Sequence, residues 1–210
     1  MSEIKKTKTK KVWLGHKKGD KSFTVHYLGE ITLGKHVHIS DPCYDRDVWC
    51  RTELTKVKPG SYRVYTVHND EEGRVHNLML LNAEKYGPWQ FFVQWCQDEN
   101  VGVDSGQMGV FDDSIYPTEK EIGESFDDPK TFYGRCCQAT LADEMEGLID
   151  GAGAVTSSGY GDGTYWVFTN TGVTKNAILI DYLSEANGEP LFMVLSLSDP
   201  KIKKEKGGAS

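Results

Sequence analysis

The sequence predicts a mainly β protein of the α+β class: a single antiparallel β-rich sandwich or half-open barrel, with one packed helix near residues 128–146. Three observations support this fold class. Apolar and polar residues alternate over many short segments, turn-forming Asp-Gly and Asn-Gly steps lie between them, and a single segment has apolar residues at helical spacing. The 210 residues are 38% hydrophobic, which is ample for one sizeable core.

The two ends of the chain differ in composition from the segment between them. We expect a lysine-rich disordered tail over 1–11, a single β-rich domain over 12–199 and a polar disordered tail over 200–210. The N-terminal lysines have an alternative interpretation as an arm that contacts nucleic acid or a membrane surface. We favour the solvated tail, because runs of like charge are commonly disordered.

Period-two alternation defines the strands of the N-terminal half. Gly34 predicts a bulge or bend within one strand, and residues 104–106 predict a break within another. Residues 69–73 have the composition of a hairpin turn, so the strands on either side should pair. An aromatic-rich segment ending at Trp95 predicts a buried strand. The predicted strands are 22–27, 31–39, 61–68, 75–81, 89–95 and 101–111.

One helix is predicted, and its start signal is Asp127-Asp128-Pro129. This tripeptide combines a carboxylate cap with a proline at the first helical position. Gly147 marks the expected end of the helix. The apolar side chains that recur at helical spacing are Phe132, Cys136, Cys137, Leu141 and Met145.

Two further hairpins are predicted after the helix. Residues 152–157 and 164–169 should pair around Asp162-Gly163, because an Asp-Gly step is the strongest short hairpin signal. A two-residue hairpin loop also requires a positive φ angle at Gly163. The second hairpin is predicted from 176–182, Asn187-Gly188 and 191–196.

Charge and cysteine content restrict the partners and the compartment. The net charge is −7 and the isoelectric point is about 5.4, so a general nucleic-acid-binding surface is not expected. No apolar run has the length of a membrane helix, and no apolar segment follows the charged N-terminus as in a secretory signal. Five irregularly spaced cysteines do not suggest a disulfide framework. We therefore expect free thiols and a cytoplasmic location.

Three segments rich in aspartate and glycine interrupt the strand pattern: 40–44, 102–107 and 158–165. Each places a carboxylate in a tight turn or at a strand end. Either each aspartate caps its own turn, or the three turns meet at one edge of the β-scaffold and form one site. The candidate ligand-binding residues are Asp41, Tyr44, Asp104, Ser105, Gln107, Tyr160 and Asp162.

His36 and His38 form a candidate metal-binding pair. On a strand, residues two apart face the same way, which is how a sheet presents paired metal ligands. In the alternative interpretation Val37 and Ile39 face the core and both histidines face water. A third ligand would come from Asp41, His26, His68 or His76. A separate cation site is conceivable at Asp112-Asp113 with Asp104.

The remaining motifs do not indicate a specific chemistry. The glycine run Gly159-x-Gly161-x-Gly163 leads into a strand, whereas a dinucleotide fingerprint opens a helix. Cys43 has the chemistry of a thiolate nucleophile, but a buried structural cysteine explains it more simply. The sequence therefore identifies no cofactor and no catalytic residue.

Taken in chain order, several motifs resemble an uncharacterised family of bacterial and phage proteins, a domain of unknown function. The resemblance covers roughly residues 30–185 and implies one compact domain in a prokaryotic or phage cytosol. It implies no activity, cofactor or residue role. The motifs are Ser40-Asp41-Pro42-Cys43-Tyr44, Trp49-Cys50, Pro59-Gly60-Ser61-Tyr62, Gly102-Val103-Asp104-Ser105-Gly106-Gln107, Phe111-Asp112 and Ser157-Ser158-Gly159-Tyr160-Gly161-Asp162-Gly163-Thr164-Tyr165.

Two functions of different class are compatible with these residues. The first is a non-enzymatic module that binds a small molecule or a protein partner in a cleft lined by the three segments and by aromatic side chains. The second is a metal-assisted hydrolase. The aromatics of the first are Tyr44, Trp49, Tyr160 and Trp166; the second would use Asp41, Asp104, Asp112 or Asp162 with His36 and His38. We favour the binding module, because the sequence contains no complete catalytic constellation.

Overall fold

The structure, a computed structural model, describes residues 8–14, 21–44, 46, 48–117 and 126–183. Its strands are β1 Lys8–Leu14, β2 Lys21–Leu33, β3 Val37–Ser40, β4 Arg51–Leu54, β5 Gly60–Asn69, β6 Arg74–Asn82, β7 Trp95–Val103, β8 Gln107–Asp112, β9 Glu146–Ile149, β10 Gly153–Ser157, β11 Gly163–Asn170 and β12 Ala177–Asp181. Helix α1, Phe132–Thr140, lies between β8 and β9.

The strands form two antiparallel sheets, so the predicted β-rich fold class is confirmed in its sandwich form. The large sheet has the strand order β1-β2-β5-β6-β12-β11-β7, and the small sheet has the order β4-β3-β8-β10-β9. The main core lies between the sheets, because apolar side chains of both contribute to it, among them Ile31, Val64, Val110 and Ala154.

Each sheet also buries its outer face. Tyr65 and Val67 of the large sheet pack against Trp89 and Phe91, which lie in the segment between β6 and β7. On the small sheet, Phe111 and Val155 pack against Phe132 and Cys136 of helix α1. Strands buried on both faces carry apolar residues at nearly every position, as β12 does.

The chain crosses between the sheets four times. The crossings connect β2 to β3, β4 to β5, β7 to β8, and β10 to β11. Two of the links are only three residues long, 34–36 and 104–106. The crossings place residues 104–106 and 158–162 side by side at one end of the sandwich.

The predicted strand 31–39 is divided between the two sheets. β2 ends at Leu33, and β3 begins at Val37 in the small sheet. Gly34 lies in the link and donates its N–H to the Asp112 carboxylate. The bulge predicted at Gly34 lies instead at 27–29, where the β2–β5 register shifts. The hairpin predicted around 69–73 is confirmed as β5–β6.

The segment 89–95 was predicted to be a strand, and this prediction is wrong for all but Trp95. Trp89 has φ of 62°, a left-handed conformation that does not belong to a strand. Its ring and that of Phe91 lie 5.4 and 5.0 Å from the Tyr65 ring. The aromatic residues therefore cover the large sheet and do not extend it.

The helix is shorter than predicted. Thr131 caps it by accepting the Gly134 N–H at 2.9 Å, while Asp128 accepts the Lys130 N–H one turn earlier. Beyond Thr140, Met145 has φ of 56°, which ends any helical path. Gly147, the predicted helix end, lies within β9. The predicted boundaries were too wide because apolar spacing continued past the capped segment.

The hairpin predicted around Asp162-Gly163 is also wrong. β10 belongs to the small sheet and β11 to the large one, so the two strands are not paired. Gly163 does have the predicted positive φ, 155°, but it lies at the start of β11 opposite Val103. The second predicted hairpin is described only over β12, which pairs with β6 and β11; residues 191–196 lie outside the described residues.

The ends of the chain meet the expected domain limits only in part. Lys8 to Lys11, which the sequence places in the N-terminal tail, belong to β1 and pair with β2. Residues 1–7 and the expected tail over 200–210 lie outside the described residues.

A partly buried polar contact beside the β7–β11 pair provides a stability test. The Asp98 carboxylate accepts hydrogen bonds from Lys175 Nζ at 2.6 Å and Thr169 Oγ1 at 2.8 Å. Burial acts to raise the pKa of Asp98, but these bonds prevail and lower it below the ordinary 3.8. We expect Asp98→Asn to cost about 1–2 kcal/mol of unfolding free energy at pH 7.

The pH dependence of this cost has a defined sign. A carboxyl whose pKa is lower in the folded state stabilises the fold above its unfolded pKa, and this stabilisation is lost as pH falls through the folded value. The difference between wild type and Asp98→Asn should therefore shrink below about pH 4. Urea unfolding of both proteins at pH 7 and at pH 3 measures it. A difference that grows on acidification would contradict the assignment.

Candidate functional site

The Asp41 carboxylate joins the first two Asp/Gly segments. Its Oδ2 atom accepts the backbone N–H groups of Asp104 at 2.9 Å and Ser105 at 2.7 Å. Its Oδ1 atom accepts the Ser105 hydroxyl at 2.6 Å and the Cys43 N–H at 3.0 Å. Asp41 is fully buried, so these four hydrogen bonds occupy the carboxylate completely. We call this arrangement the Asp41 hub.

Strand pairing explains why these segments meet. β3 and β8 are antiparallel neighbours, and Ser40 is opposite Gly109. The end of β3 therefore lies beside the start of β8, where the 104–106 link enters. The Asp41 N–H donates to the Cys50 carbonyl at 3.0 Å, which closes the 41–50 loop over the same end.

The third segment joins through the 104–106 link. The Ser158 N–H donates to the Gly106 carbonyl at 3.0 Å. The Tyr165 hydroxyl donates to the carbonyls of Ser158 and Gly161, at 2.8 and 2.7 Å, and thereby fixes the loop 158–162. The β7–β11 register pairs Gly163 with Val103, so one further step brings Asp162 opposite Asp104. The three segments thus meet at one end of the sandwich.

We call five exposed or partly exposed side chains that these loops carry the acidic-aromatic patch: Tyr44, Trp49, Asp104, Tyr160 and Asp162. Trp49 is 64% exposed and Tyr160 is 65% exposed; Asp104 and Asp162 are exposed as well. A Cβ atom at Gly102 would overlap the Trp49 ring, so the indole lies directly on the β7 backbone. Gly102 is two residues from Asp104, so Trp49 packs at the end of β7 that leads into Asp104.

Tyr44 and Tyr160 are held in place by polar contacts. The Tyr44 hydroxyl donates to Asp104 Oδ2. This hydrogen bond, with the nearby negative charge, raises the pKa of Tyr44 well above its usual 10, so the phenol remains a donor. The Tyr160 hydroxyl donates to Glu72 Oε2 at 2.7 Å, and the Arg74 guanidinium lies 5.0 Å from the ring centre.

Two candidate residues have other roles. Gln107 is buried and donates from Nε2 to the Cys137 sulfur at 3.3 Å, so it contacts helix α1. Ser105 serves the Asp41 hub. Burial raises the pKa of the Cys43 thiol, and burial with the charges of Asp41 and Asp104 raises the pKa of Cys50 to about 11. Neither thiol is the low-pKa nucleophile that thiolate chemistry requires.

The His36–His38 pair does not share one environment. His36 precedes β3, is exposed, and donates from Nδ1 to Glu53 at 2.7 Å. His38 is buried, with Nε2 2.8 Å from Asp113 Oδ1 and Nδ1 2.7 Å from Arg51 Nη1. Since arginine only donates, the His38 proton lies on Nε2. Burial and the two neighbouring arginines lower the pKa of His38, despite Asp113.

The residues proposed for a hydrolase are split between opposite ends of β8. Asp112 ends β8 and bonds Ser114 at 2.6 Å, whereas Asp104 precedes its start. Seven residues lie between them, most of them in β8, and at about 3.4 Å per strand residue this separates the two carboxylates by more than metal ligands allow. His36 and His38 lie at the Asp112 end, because Val37 pairs with Asp112. Asp104 is therefore too far from Asp112-Asp113 to share a cation with them, and among the described residues His36 and His38 do not form a three-ligand group with any of the four aspartates.

A different histidine cluster is formed by His26, His68 and Glu146. His26 Nδ1 donates to Glu146 Oε1 at 2.8 Å, and His68 Nε2 donates to Glu146 Oε2 at 2.7 Å. The two imidazoles are stacked, with ring centres 4.1 Å apart. Thr66 also donates to Glu146 Oε2. We call these three residues the imidazole–carboxylate cluster.

Sequence analysis placed His26 and His68 on predicted strands and named both as third-ligand candidates, but it missed Glu146. One signal was available, for His68 alone: by strand alternation it continues the face of Tyr62 and Val64, where an apolar side chain would be expected. Burial acts to raise the pKa of Glu146, but hydrogen bonds from His26 and His68 lower it overall. Burial would lower the pKa of His26, and Glu146 raises it above the ordinary value.

A hollow of about 380 Å³ lies elsewhere, between the β3–β4 side of the small sheet and the β7–β11 side of the large one. Its lining includes Glu53, Lys56, Asp98, Glu99 and Lys175. None of the candidate ligand-binding residues lines it. The hollow is therefore not the cleft that was predicted between the three Asp/Gly segments. The exposed residues of those segments lie on the protein surface.

Comparisons with known proteins identify no related protein. No protein-family model, no curated protein and no solved structure matches the sequence. Within the described residues, no helix combines the length and apolar character that crossing a bilayer requires.

Proposed function

We propose that the protein is a non-enzymatic binding module whose acidic-aromatic patch takes a cationic segment of a protein partner. The observation that supports this proposal is the convergence of three distant segments on one end of a rigid sandwich. Loops fixed by a β-scaffold commonly carry binding residues. The Asp41 hub holds the loops from below and leaves Asp104 and Asp162 exposed.

The chemistry of the patch favours a positively charged ligand. Asp104 and Asp162 supply negative charge, and lysine or arginine side chains pair with carboxylates. Trp49 and Tyr160 supply aromatic faces, which attract the same cations. Trp49 packs on Gly102, and Tyr160 is held by Glu72 and Arg74. Because these contacts already restrict the two side chains, they lose little conformational entropy on binding.

The partner class and the compartment follow from charge and thiols. A net charge of −7 and an acidic patch disfavour nucleic acid as the ligand. All five cysteines are free thiols, which supports a reducing cytoplasm as the working compartment. A protein segment is favoured over a small molecule because the patch residues are exposed and do not enclose a volume.

The test uses an arginine-rich peptide and follows its binding by fluorescence anisotropy. The double substitution Asp104→Asn with Asp162→Asn should weaken binding by about tenfold, because it removes the patch charge. Asparagine at 104 still offers an oxygen to Tyr44, so the fold should be retained. Binding should also weaken with added salt, as expected for exposed charges.

The control removes two charges elsewhere on the surface. Glu84 and Asp143 are exposed and lie outside the patch, so Glu84→Gln with Asp143→Asn matches the loss of net charge. Equal weakening by both double variants would show attraction to overall charge and would overturn the proposal. Unchanged binding in the patch variant, or no binding of the peptide by wild type, would overturn it too.

A further inference from the structure

We infer that His26, His68 and Glu146 form a binding site for a divalent transition-metal ion of the zinc class. Two imidazole nitrogens and one carboxylate form a ligand set that proteins use for such ions. The three candidate ligand atoms lie within 4.8 Å of one another. This site is independent of the acidic-aromatic patch and shares no residue with it.

The distances are close to those of a metal centre. Zinc binds imidazole nitrogen at about 2.0–2.1 Å and carboxylate oxygen at about 2.0–2.2 Å, so ligand atoms in a tetrahedron lie about 3.4 Å apart. Glu146 is now 2.8 Å from His26 Nδ1 and 2.7 Å from His68 Nε2. The two contacts use different oxygens, Oε1 toward His26 and Oε2 toward His68, and each needs to open by about 0.6 Å for an ion to lie between the imidazoles and the carboxylate.

The scaffold brings the ligands together from both sheets. His26 is opposite Thr66 in the β2–β5 pair, so His26 and His68 are diagonal neighbours on one sheet face. By alternation this is also the face of Val64, which points into the core between the sheets. Glu146 starts β9 at the edge of the small sheet. Ligands on regular strands are held more precisely than ligands on loops.

Burial and charge favour a cation. The side chains of His26, His68 and Glu146 are 11%, 12% and 3% exposed. Glu144 adds a second carboxylate 3.7 Å from His26 Nδ1 and is itself 64% exposed. With neutral imidazoles the group carries the buried charge of Glu146 and, beside it, the exposed charge of Glu144, and a divalent ion would balance both. Glu144 lies on the solvent side, where a fourth ligand would enter.

The alternative interpretation is a hydrogen-bonded cross-link between the sheets, with no metal. The chain contains a natural comparison for it. His36 and Glu53 form a histidine–carboxylate contact of similar length, 2.7 Å, but it is exposed and has no second imidazole. A site that depends on three converging ligands should bind metal, whereas this pair should not bind it with comparable affinity.

The experiment titrates the full-length, metal-stripped protein with Zn²⁺ by calorimetry and with Co²⁺ by visible absorption. We expect one strong site, d–d bands of tetrahedral or five-coordinate Co²⁺, and a rise in melting temperature with Zn²⁺. Mg²⁺ and Ca²⁺ should not compete, since they prefer all-oxygen sites. His68→Ala should abolish the strong site, and Glu146→Gln should weaken it by about a hundredfold while keeping side-chain size.

The controls separate metal ligation from folding and from adventitious binding. His36→Ala should leave both titrations unchanged, because it removes an exposed histidine outside the cluster. Glu144→Gln should retain the strong site but alter the Co²⁺ spectrum. Circular dichroism shows whether each variant folds. If His68→Ala does not fold, Glu146→Gln still decides the question. Absence of a strong Zn²⁺ site in wild type, or its persistence in Glu146→Gln, would overturn the inference.

Discussion

Asp41→Asn should lower the free energy of unfolding by about 3 kcal/mol or more, one of the largest effects expected from any single-atom exchange in this chain. The reason is the Asp41 hub. The carboxylate accepts four hydrogen bonds at two oxygens, and all come from N–H or O–H donors. An asparagine amide offers one acceptor oxygen, and its NH₂ group would face donors.

Burial makes this mismatch costly. Asp41 is 0% exposed, so water cannot replace the lost acceptor. A buried donor without a partner costs about 1–3 kcal/mol, and two donors lose theirs whichever way the amide turns. We expect the links 41–44 and 104–106 to separate, which would also disorder the acidic-aromatic patch.

Guanidinium unfolding followed by circular dichroism measures the effect, with Asp162→Asn as the matched control. Asp162 has the same chemistry and belongs to the same group of loops, but it is exposed, so its replacement should change stability by less than about 0.5 kcal/mol. Similar stability of the two variants would show that Asp41 is not a structural hub.

Gly109→Ala should cost about 2–3 kcal/mol, because the small sheet has no room for a methyl group at this position. Gly109 lies in β8, the central strand of that sheet. A Cβ atom there would overlap the Phe111 ring and lie 2.6 Å from the Ala154 carbonyl oxygen. The ring belongs to the core beneath α1, and the carbonyl belongs to the neighbouring strand, so neither yields easily.

Gly73→Ala is the matched control for this steric argument. Gly73 has φ of 63° in the β5–β6 turn, and a Cβ atom there would meet nothing within 4 Å. Its replacement should cost only the conformational strain of alanine in a left-handed turn, about 1 kcal/mol. Thermal melts of both variants compare the two costs. A larger loss in Gly73→Ala would mean that backbone conformation, and not space, limits these glycines.

The fold class was accessible from the sequence, but the assignment of strands to sheets was not. Ile31, Leu33, Val37 and Ile39 keep one alternating pattern, and all four pack in the core between the sheets. Two strands that face the same core from opposite sides show the same alternation as one continuous strand. The pattern therefore predicted one continuous strand over 31–39. In the structure the chain passes from the large sheet to the small sheet within this segment.

Convergence of the three Asp/Gly segments was one of two alternatives that the sequence left open, and the different roles of the three aspartates were not predicted. Asp41, Asp104 and Asp162 have similar local sequences, and burial alone separates the hub from the patch. Whether an aspartate is buried depends on how the loops pack against one another. Their packing is set by pairing between strands that are distant in the sequence. The metal inference needed the same information, because Glu146 is 120 residues from His26 in the chain.

The four crossings between the sheets bear on how the chain reaches its structure. β3 pairs with β8, but the whole β5–β7 part of the large sheet is synthesised between them. β6 likewise pairs with β12, beyond three strands and the helix of the other layer. Each sheet thus contains a strand pair whose connecting chain includes strands of the other sheet, so partial unfolding should be confined to edge strands such as β1 and β4. Such non-local pairing has a high contact order, and it is typical of slow, cooperative folding on a timescale of milliseconds to seconds.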